Sequence, residues 1–422
     1  MDLFTPLELP GGTTLPNRLA KAAMEESFAA QPGQLPDERM ERLYARWARG
    51  GAGLVITGNV MVDRRALTSP GTVVLDEHSP LEPFRRWAAA AASGDARVWM
   101  QINHPGRQVG SDMPGNAWAP SAVPISLGKH TRRFAHPTAM TEADIEATIA
   151  RFALTAGRAE EAGFHGVQVH AAHGYLLSQF LSPLVNRRTD RWGGSLDNRV
   201  RMLTDTVAAV RARVSAGFAI GVKLNAADFQ RGGFDSEEAA QVITALDGLG
   251  VDLVELSGGT VESPASMGHT TDQRTLEREA YFLSLAEHLL ETATVPLMLT
   301  GGITRRATAE KALARGVAVV GMASALALCP DLPERWRAGE DVRVDVPRLG
   351  WRDRSLAAAG TLALVRFQLD RLAQGREPRS RVSPRWIFTA DSLRHRRRVR
   401  AYGAWLAHEP TSGTPGTAGT AP

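Results

Sequence analysis

Titratable and hydrogen-bonding side chains recur in this chain immediately behind short apolar runs. Gln101, Asn103 and His104 follow one run, and His170, with His173 and Tyr175 close behind, follows another. Lys223 and Asn225 end a third, and Ala23, Met24 and Glu25 end a fourth. Toward the C-terminal end glycines take the same place: Gly301 and Gly302 behind one run, and Gly321 leading to Ala323 and Ser324 behind the last. Polar and titratable groups of this kind, converging on one rim, are what a reactive site needs. Glycine turns expose backbone N–H groups, which suit a phosphate. The Gln101 amide both donates and accepts, which fits a flat heterocycle with carbonyl and imide edges. Lys223 fits a ring that becomes anionic on reduction. Bland alternatives stand beside each reading. A His-x-x-His pair also occurs as packed core histidines, and Gln101 and Lys223 also read as satisfied polar residues inside a barrel. A zinc site lacks a third ligand at motif spacing.

These residues need a scaffold that brings run ends together. Eight apolar runs rich in Val, Ile and Leu qualify as strands: 19–23, 53–57, 97–102, 166–170, 218–223, 253–257, 296–300 and 317–321. Their continuity, without alternation, predicts strands buried on both faces of a parallel sheet. Helical stretches separate them. Thr141 and Asp144 predict a capping box. Val200, Leu203, Val207, Val210 and Val214 follow one helical face. Ser236, backed by Glu237 and Glu238, predicts another helix start. Eight such units predict a (β/α)₈ barrel with its site at the C-terminal strand ends. An open doubly wound sheet is the alternative, but the first βα turn lacks G-x-G-x-x-G.

Residues 104–140, rich in Pro, Gly and Ser, predict a long cap over the strand ends. Three segments result: a barrel over 1–340, a helical extension over 341–409 with helices near Leu356–Leu372 and Leu393–Leu406, and a disordered tail over 410–422. The extension is expected to pack on the protein's own surface. It carries 15 Arg and no Lys against seven acids, a local charge of +8 that leaves −4 for the rest of the +4 chain. This density reads as a solvated helical face, with no nucleic-acid partner expected. The single cysteine, Cys329, excludes a disulfide framework, a multi-cysteine metal site and an iron–sulfur cluster. No metal is expected. The chain shows no secretory leader pattern and no apolar stretch of membrane-spanning length, so a cytoplasmic protein is expected.

The run from His170 to Arg199, HAAHGYLLSQFLSPLVNRRTDRWGGSLDNR, resembles the signature of the Old Yellow Enzyme family of NAD(P)H:flavin oxidoreductases. The resemblance extends in order through LPNRLAKAAM (15–24), TGNVMVDRRAL (57–67), MQINHPGRQ (100–108), GVKLNAADFQRGGF (221–234), LTGGI (299–303) and PDLPERW (330–336). It implies bound FMN, NADH or NADPH as reductant, and hydride transfer from flavin N5 to an activated alkene of a small-molecule substrate. His170 and His173 then match the donors to the substrate's carbonyl or nitro oxygen, and Tyr175 the proton donor. Ala23, Met24, Glu25, Gly58, Gln101, Lys223, Gly301, Gly302, Ala323 and Ser324 match cofactor-binding positions. A flavin-dependent dehydrogenase or demethylase of the same superfamily, or a flavin-free barrel, is the alternative. A homo-oligomer is left open.

Three positions depart from the pattern. Glu25 stands where Thr, Ser or Cys is usual near flavin C4=O; a carboxylate there repels electron density on the reduced ring, becomes protonated or swings away. Ala323 and Ser324 stand where Gly-Arg is common at the phosphate, which is then expected to rely on backbone N–H groups, Ser324 or a neighbouring Arg. His165 stands where Asp is common, without a functional explanation.

Overall fold

The structure, a computed structural model, describes residues 2–263, 283–347 and 349–408. The expected tail lies outside the described residues. Eight strands, β1 Leu19–Lys21, β2 Leu54–Ile56, β3 Arg97–Asn103, β4 Gly166–Ala171, β5 Ala219–Asn225, β6 Leu253–Ser257, β7 Leu297–Thr300 and β8 Val319–Met322, each fall within two residues of a predicted run. They pair in parallel in sequence order, and β8 closes on β1. Every strand residue but Arg97 is buried, as expected for strands with side chains inside the barrel and helices outside.

Among the described residues the helices are α1 Glu38–Ala48, α2 Glu82–Ala91, α3 Glu142–Glu161, α4 Leu176–Leu181, α5 Leu196–Arg213, α6 Ser236–Ala245, α7 Leu283–Leu290, α8 Arg306–Ala314, α9 Ser324–Leu328, α10 Leu332–Arg337, α11 Arg354–Ala373 and α12 Pro384–Ala407. α3 has the expected capping box, with Thr141 accepting from Asp144 N and the Asp144 carboxylate accepting from Thr141 N. α6 starts at Ser236 as expected, and Asp235 caps it, its carboxylate accepting from Glu238 N at 3.0 Å. Leu203, Val207 and Val210 form the buried face of α5.

Trp99 fills the lower interior. A Cβ on Gly166 would lie 2.8 Å from its indole Cδ1, and one on Gly221 2.7 Å from Cζ3, so β4 and β5 need glycine where the indole crosses. Leu54, Leu253 and Met298 join it in an apolar layer. A hairpin of Leu7–Glu8 and Thr14–Leu15 plugs the N-terminal end and adds Leu9 and Leu15 to that layer. Asp252 pins the plug by accepting from Gly11 N (2.6 Å) and Ile220 N (2.8 Å). His165 has a structural role. Its ring Nδ1 accepts from Val98 N (3.0 Å) and its own N–H donates to Val98 O (2.9 Å), stitching the starts of β3 and β4.

The cap holds a 3₁₀ turn, Gly128–Arg133, and a short pairing of Trp118–Ala119 with Thr138–Ala139. α11 packs on α1, α9 and α12. The extension reaches from α1, where Arg42 Nε donates to Ala373 O (2.9 Å), to the cap, where Asp353 meets Lys129 and His130, each at 2.9 Å. Tyr402 is buried against Met61, Leu67, Val109 and Met113, and donates to Arg64 O (2.7 Å). No helix among the described residues is long and apolar enough to cross a membrane.

Candidate active site

β4 delivers His170, and the turn behind it delivers His173 and Tyr175. His173 has φ of 60° and Gly174 of 71°, a left-handed pair that folds the chain back over the strand end. The turn is fixed by His173 N donating to Asn225 Oδ1 (3.0 Å) and by Gln108 Nε2 donating to His173 O (2.7 Å). The three rings meet edge to face: centroids lie 5.1 Å apart for His170 and His173, and 5.0 Å for His170 and Tyr175. Burial holds both imidazoles well below the usual histidine range, and the Lys223 cation adds to this, so both are neutral near pH 7. The Nδ1 of His170 accepts from Ala172 N (3.2 Å), which places the ring hydrogen on Nε2 as a donor. His173 Nε2 bonds Ser257 Oγ at 2.7 Å. Burial raises the Tyr175 phenol above its ordinary value; Glu25 adds to this and Arg366 opposes it, so the hydroxyl keeps its proton.

Inside the barrel, above Trp99, four polar side chains form a chain. Gln101 Nε2 donates to Gln168 Oε1 (2.7 Å), Gln168 Nε2 to Glu255 Oε2 (2.7 Å), and Lys223 Nζ to Glu255 Oε1 (2.6 Å). The register sets this up, because Gln101 lies opposite Gln168 and Lys223 opposite Glu255. Glu255 is fully buried and Lys223 nearly so, and each compensates the other's desolvation. Lys223 retains two donor hydrogens, and the Gln101 carbonyl oxygen remains an acceptor.

At the end of β1, Ala23 and Met24 lead to Glu25. It has neither swung out nor been left alone: its Oε1 accepts from Ser27 Oγ (2.8 Å), Ser69 Oγ (2.6 Å) and Thr72 Oγ1 (3.3 Å). Gly58, behind β2, donates its N–H to Tyr44 Oη (2.8 Å). A Cβ there would lie 2.1 Å from Glu26 Oε2 and 2.4 Å from Met24 O, so only glycine fits. Behind β7, Gly301 and Gly302 have φ of 130° and 69°. Ala323 precedes the first residue of α9, Ser324.

Glu255, Gln168, Ser257 and Arg366 were not singled out from the sequence. For the first two a signal existed: one polar residue at an inward position of an otherwise apolar strand, as in GVQVH and LVELS.

The residues present suit FMN. Thr300 Oγ1, beside the glycine turn, is buried without a hydrogen-bond partner, and so are both side-chain polar atoms of Asn103. The glycine turns suit a phosphate and the Gln101–Lys223 pair a flavin edge. Among the described residues no group of three His, Cys, Asp or Glu could hold a metal ion.

Residues 2–342 match the NADH:flavin oxidoreductase / NADH oxidase family. The chain is 36% identical to the NADH-dependent flavin oxidoreductase iliE of Hypocrea jecorina over 371 residues, 80% of this chain and 89% of the relative. Identity to iliE of a Neonectria species is 38% over 360 residues, 79% of this chain but 47% of that protein, so the chain spans about half its length. Among solved structures, the old yellow enzyme homologue of Zymomonas mobilis matches with a TM-score of 0.69 at 25% identity, over 82% of this chain and 95% of that one. Morphinone reductase in complex with tetrahydroNAD matches with a TM-score of 0.66 at 25% identity, over 82% and 93%. FMN and a nicotinamide reductant are the cofactors this membership carries, in agreement with the residues at the strand ends. The chain belongs to the NADH:flavin oxidoreductase family and is built on the barrel of the old yellow enzymes.

Proposed function

We propose that this chain reduces the activated C=C bond of a small enone or nitroalkene. The observation that carries this reading is the meeting of the buried His170 with the half-buried His173 and Tyr175 at one strand end. FMN, when bound, supplies the hydride. The protein's part is to hold the alkene's carbonyl or nitro oxygen and to provide a proton. Neutral imidazoles suit the first task, since negative charge grows on that oxygen and a fixed N–H stabilises it without prior proton transfer. Tyr175 suits the second, with its hydroxyl protonated at neutral pH. Gln101 and Lys223 hold the flavin's polar edge. Glu255 keeps the lysine anchored and lowers its net charge toward the ring. Gly301, Gly302, Ala323 and Ser324 supply backbone and hydroxyl donors to the phosphate.

The test begins with flavin released from the purified protein, followed by anaerobic reduction with NADH and reoxidation with 2-cyclohexenone. Reoxidation should be fast in the wild type. His170→Asn with His173→Asn should slow it by roughly 10²–10³-fold, the range for loss of a preorganised oxyanion donor, while flavin content stays unchanged. Tyr175→Phe should slow it less, because water can replace the proton donor. A flavin that NADH reduces but that neither enones nor nitroalkenes reoxidise sinks the ene-reductase reading and favours a dehydrogenase.

A further inference from the structure

Arg366 enters the catalytic rim from outside the barrel. It sits on α11, beyond the residues that match the family. Its side chain is 18% exposed, with Nη2 3.4 Å from Glu25 Oε1 and Nη1 3.7 Å from Asp391 Oδ2. Its Nε is buried without a hydrogen-bond partner. The Arg398 guanidinium is a repulsive neighbour. Glu25 Oε1 collects three hydroxyls and a guanidinium. Both charges bear on Tyr175 with opposite signs, so the pair lies within electrostatic reach of the reacting centre.

A bare carboxylate at the end of β1 would oppose electron density arriving on the flavin. We infer that Arg366 is a positioning residue of the flavin site: carried in by the extension, it balances Glu25 and so holds up the reduction potential of the cofactor. This rests on the flavin reading above. A clamp that only fastened the extension would move stability and leave the potential alone.

The experiment measures flavin content and two-electron midpoint potential, by dye equilibration, for the full-length wild type and for Arg366→Gln, Arg366→Lys, Glu25→Gln and the Arg366→Gln/Glu25→Gln double variant. Arg366→Gln should disfavour reduced flavin about tenfold, about 30 mV for a two-electron couple. Arg366→Lys should stay within about threefold of wild type, since it keeps the charge. Glu25→Gln should shift the potential upward, and the double variant should return close to wild type. A yellow Arg366→Gln protein with the wild-type midpoint overturns the inference and leaves the flavin reading standing. If Arg366→Gln does not fold, Glu25→Gln decides: an unchanged midpoint overturns the inference. A wild-type chain that binds no FMN overturns both.

Discussion

The barrel and its helical cover build the same rim by different means. In the barrel Gln101, Gln168, His170, Lys223 and Glu255 occupy rungs of a closed parallel ladder. Gln101, Gln168, Glu255 and Lys223 are neighbours because their strands are in register, and Trp99 beneath them leaves no slack. The cover has no such ladder. It is held by spaced contacts (Arg42 to Ala373 O, Asp353 to Lys129 and His130, Tyr402 in its apolar seat), and it leaves Trp386 67% and Leu393 56% exposed. The ladder fixes position, while the cover contributes charge.

The largest test of this contrast is Glu255→Ala. It strands a buried Lys223 and should cost about 3–5 kcal/mol in denaturant unfolding; a loss below about 1 kcal/mol would mean that the ladder does not enforce the pair. Next comes acid. His104, His170 and His173, all on the barrel and cap side, have folded values below the unfolded histidine value near 6.5, and for His104 burial lowers it to about 4. The unfolded chain therefore takes up protons first as pH falls. Stability is full above about pH 6.5 and should decline below it by roughly 1.4 kcal/mol per pH unit for each such histidine. His104→Phe should flatten the slope between about pH 6.5 and 4; an unaltered slope would count against a neutral His104. On the cover, Tyr402→Phe removes the bond to Arg64 O and should cost about 0.5–1.5 kcal/mol by thermal unfolding. Trp386→Ala should change stability by less than about 0.5 kcal/mol. A larger loss there would show that the exposed face is engaged.

The same contrast explains what the sequence disclosed. Eight apolar runs mark the strands because burial on both faces leaves little choice of residue, and the polar groups behind them mark the rim. His170, His173 and Tyr175 were visible for that reason, and the structure brings them together. Glu255 and Gln168 were harder to see, because a single polar residue inside an apolar run looks like noise until the register shows its partner. The helix start at Ser236 was visible, while its cap, Asp235 one residue earlier, was not singled out. The contact of Arg366 with Glu25 had no sequence signal: 15 arginines in one segment look alike, and only packing selects the one that reaches the rim.

The partners Glu25 and Arg366 stand 341 positions apart in the chain. At synthesis rates of about 5–20 residues per second the acid leaves the ribosome roughly 20–70 s before its counter-charge. β8, the strand that closes the barrel, ends at Met322, 44 positions before Arg366, so at those rates the closed barrel precedes the arginine by only roughly 2–9 s. The order of manufacture thus separates the closing of the scaffold from the electrical completion of the site.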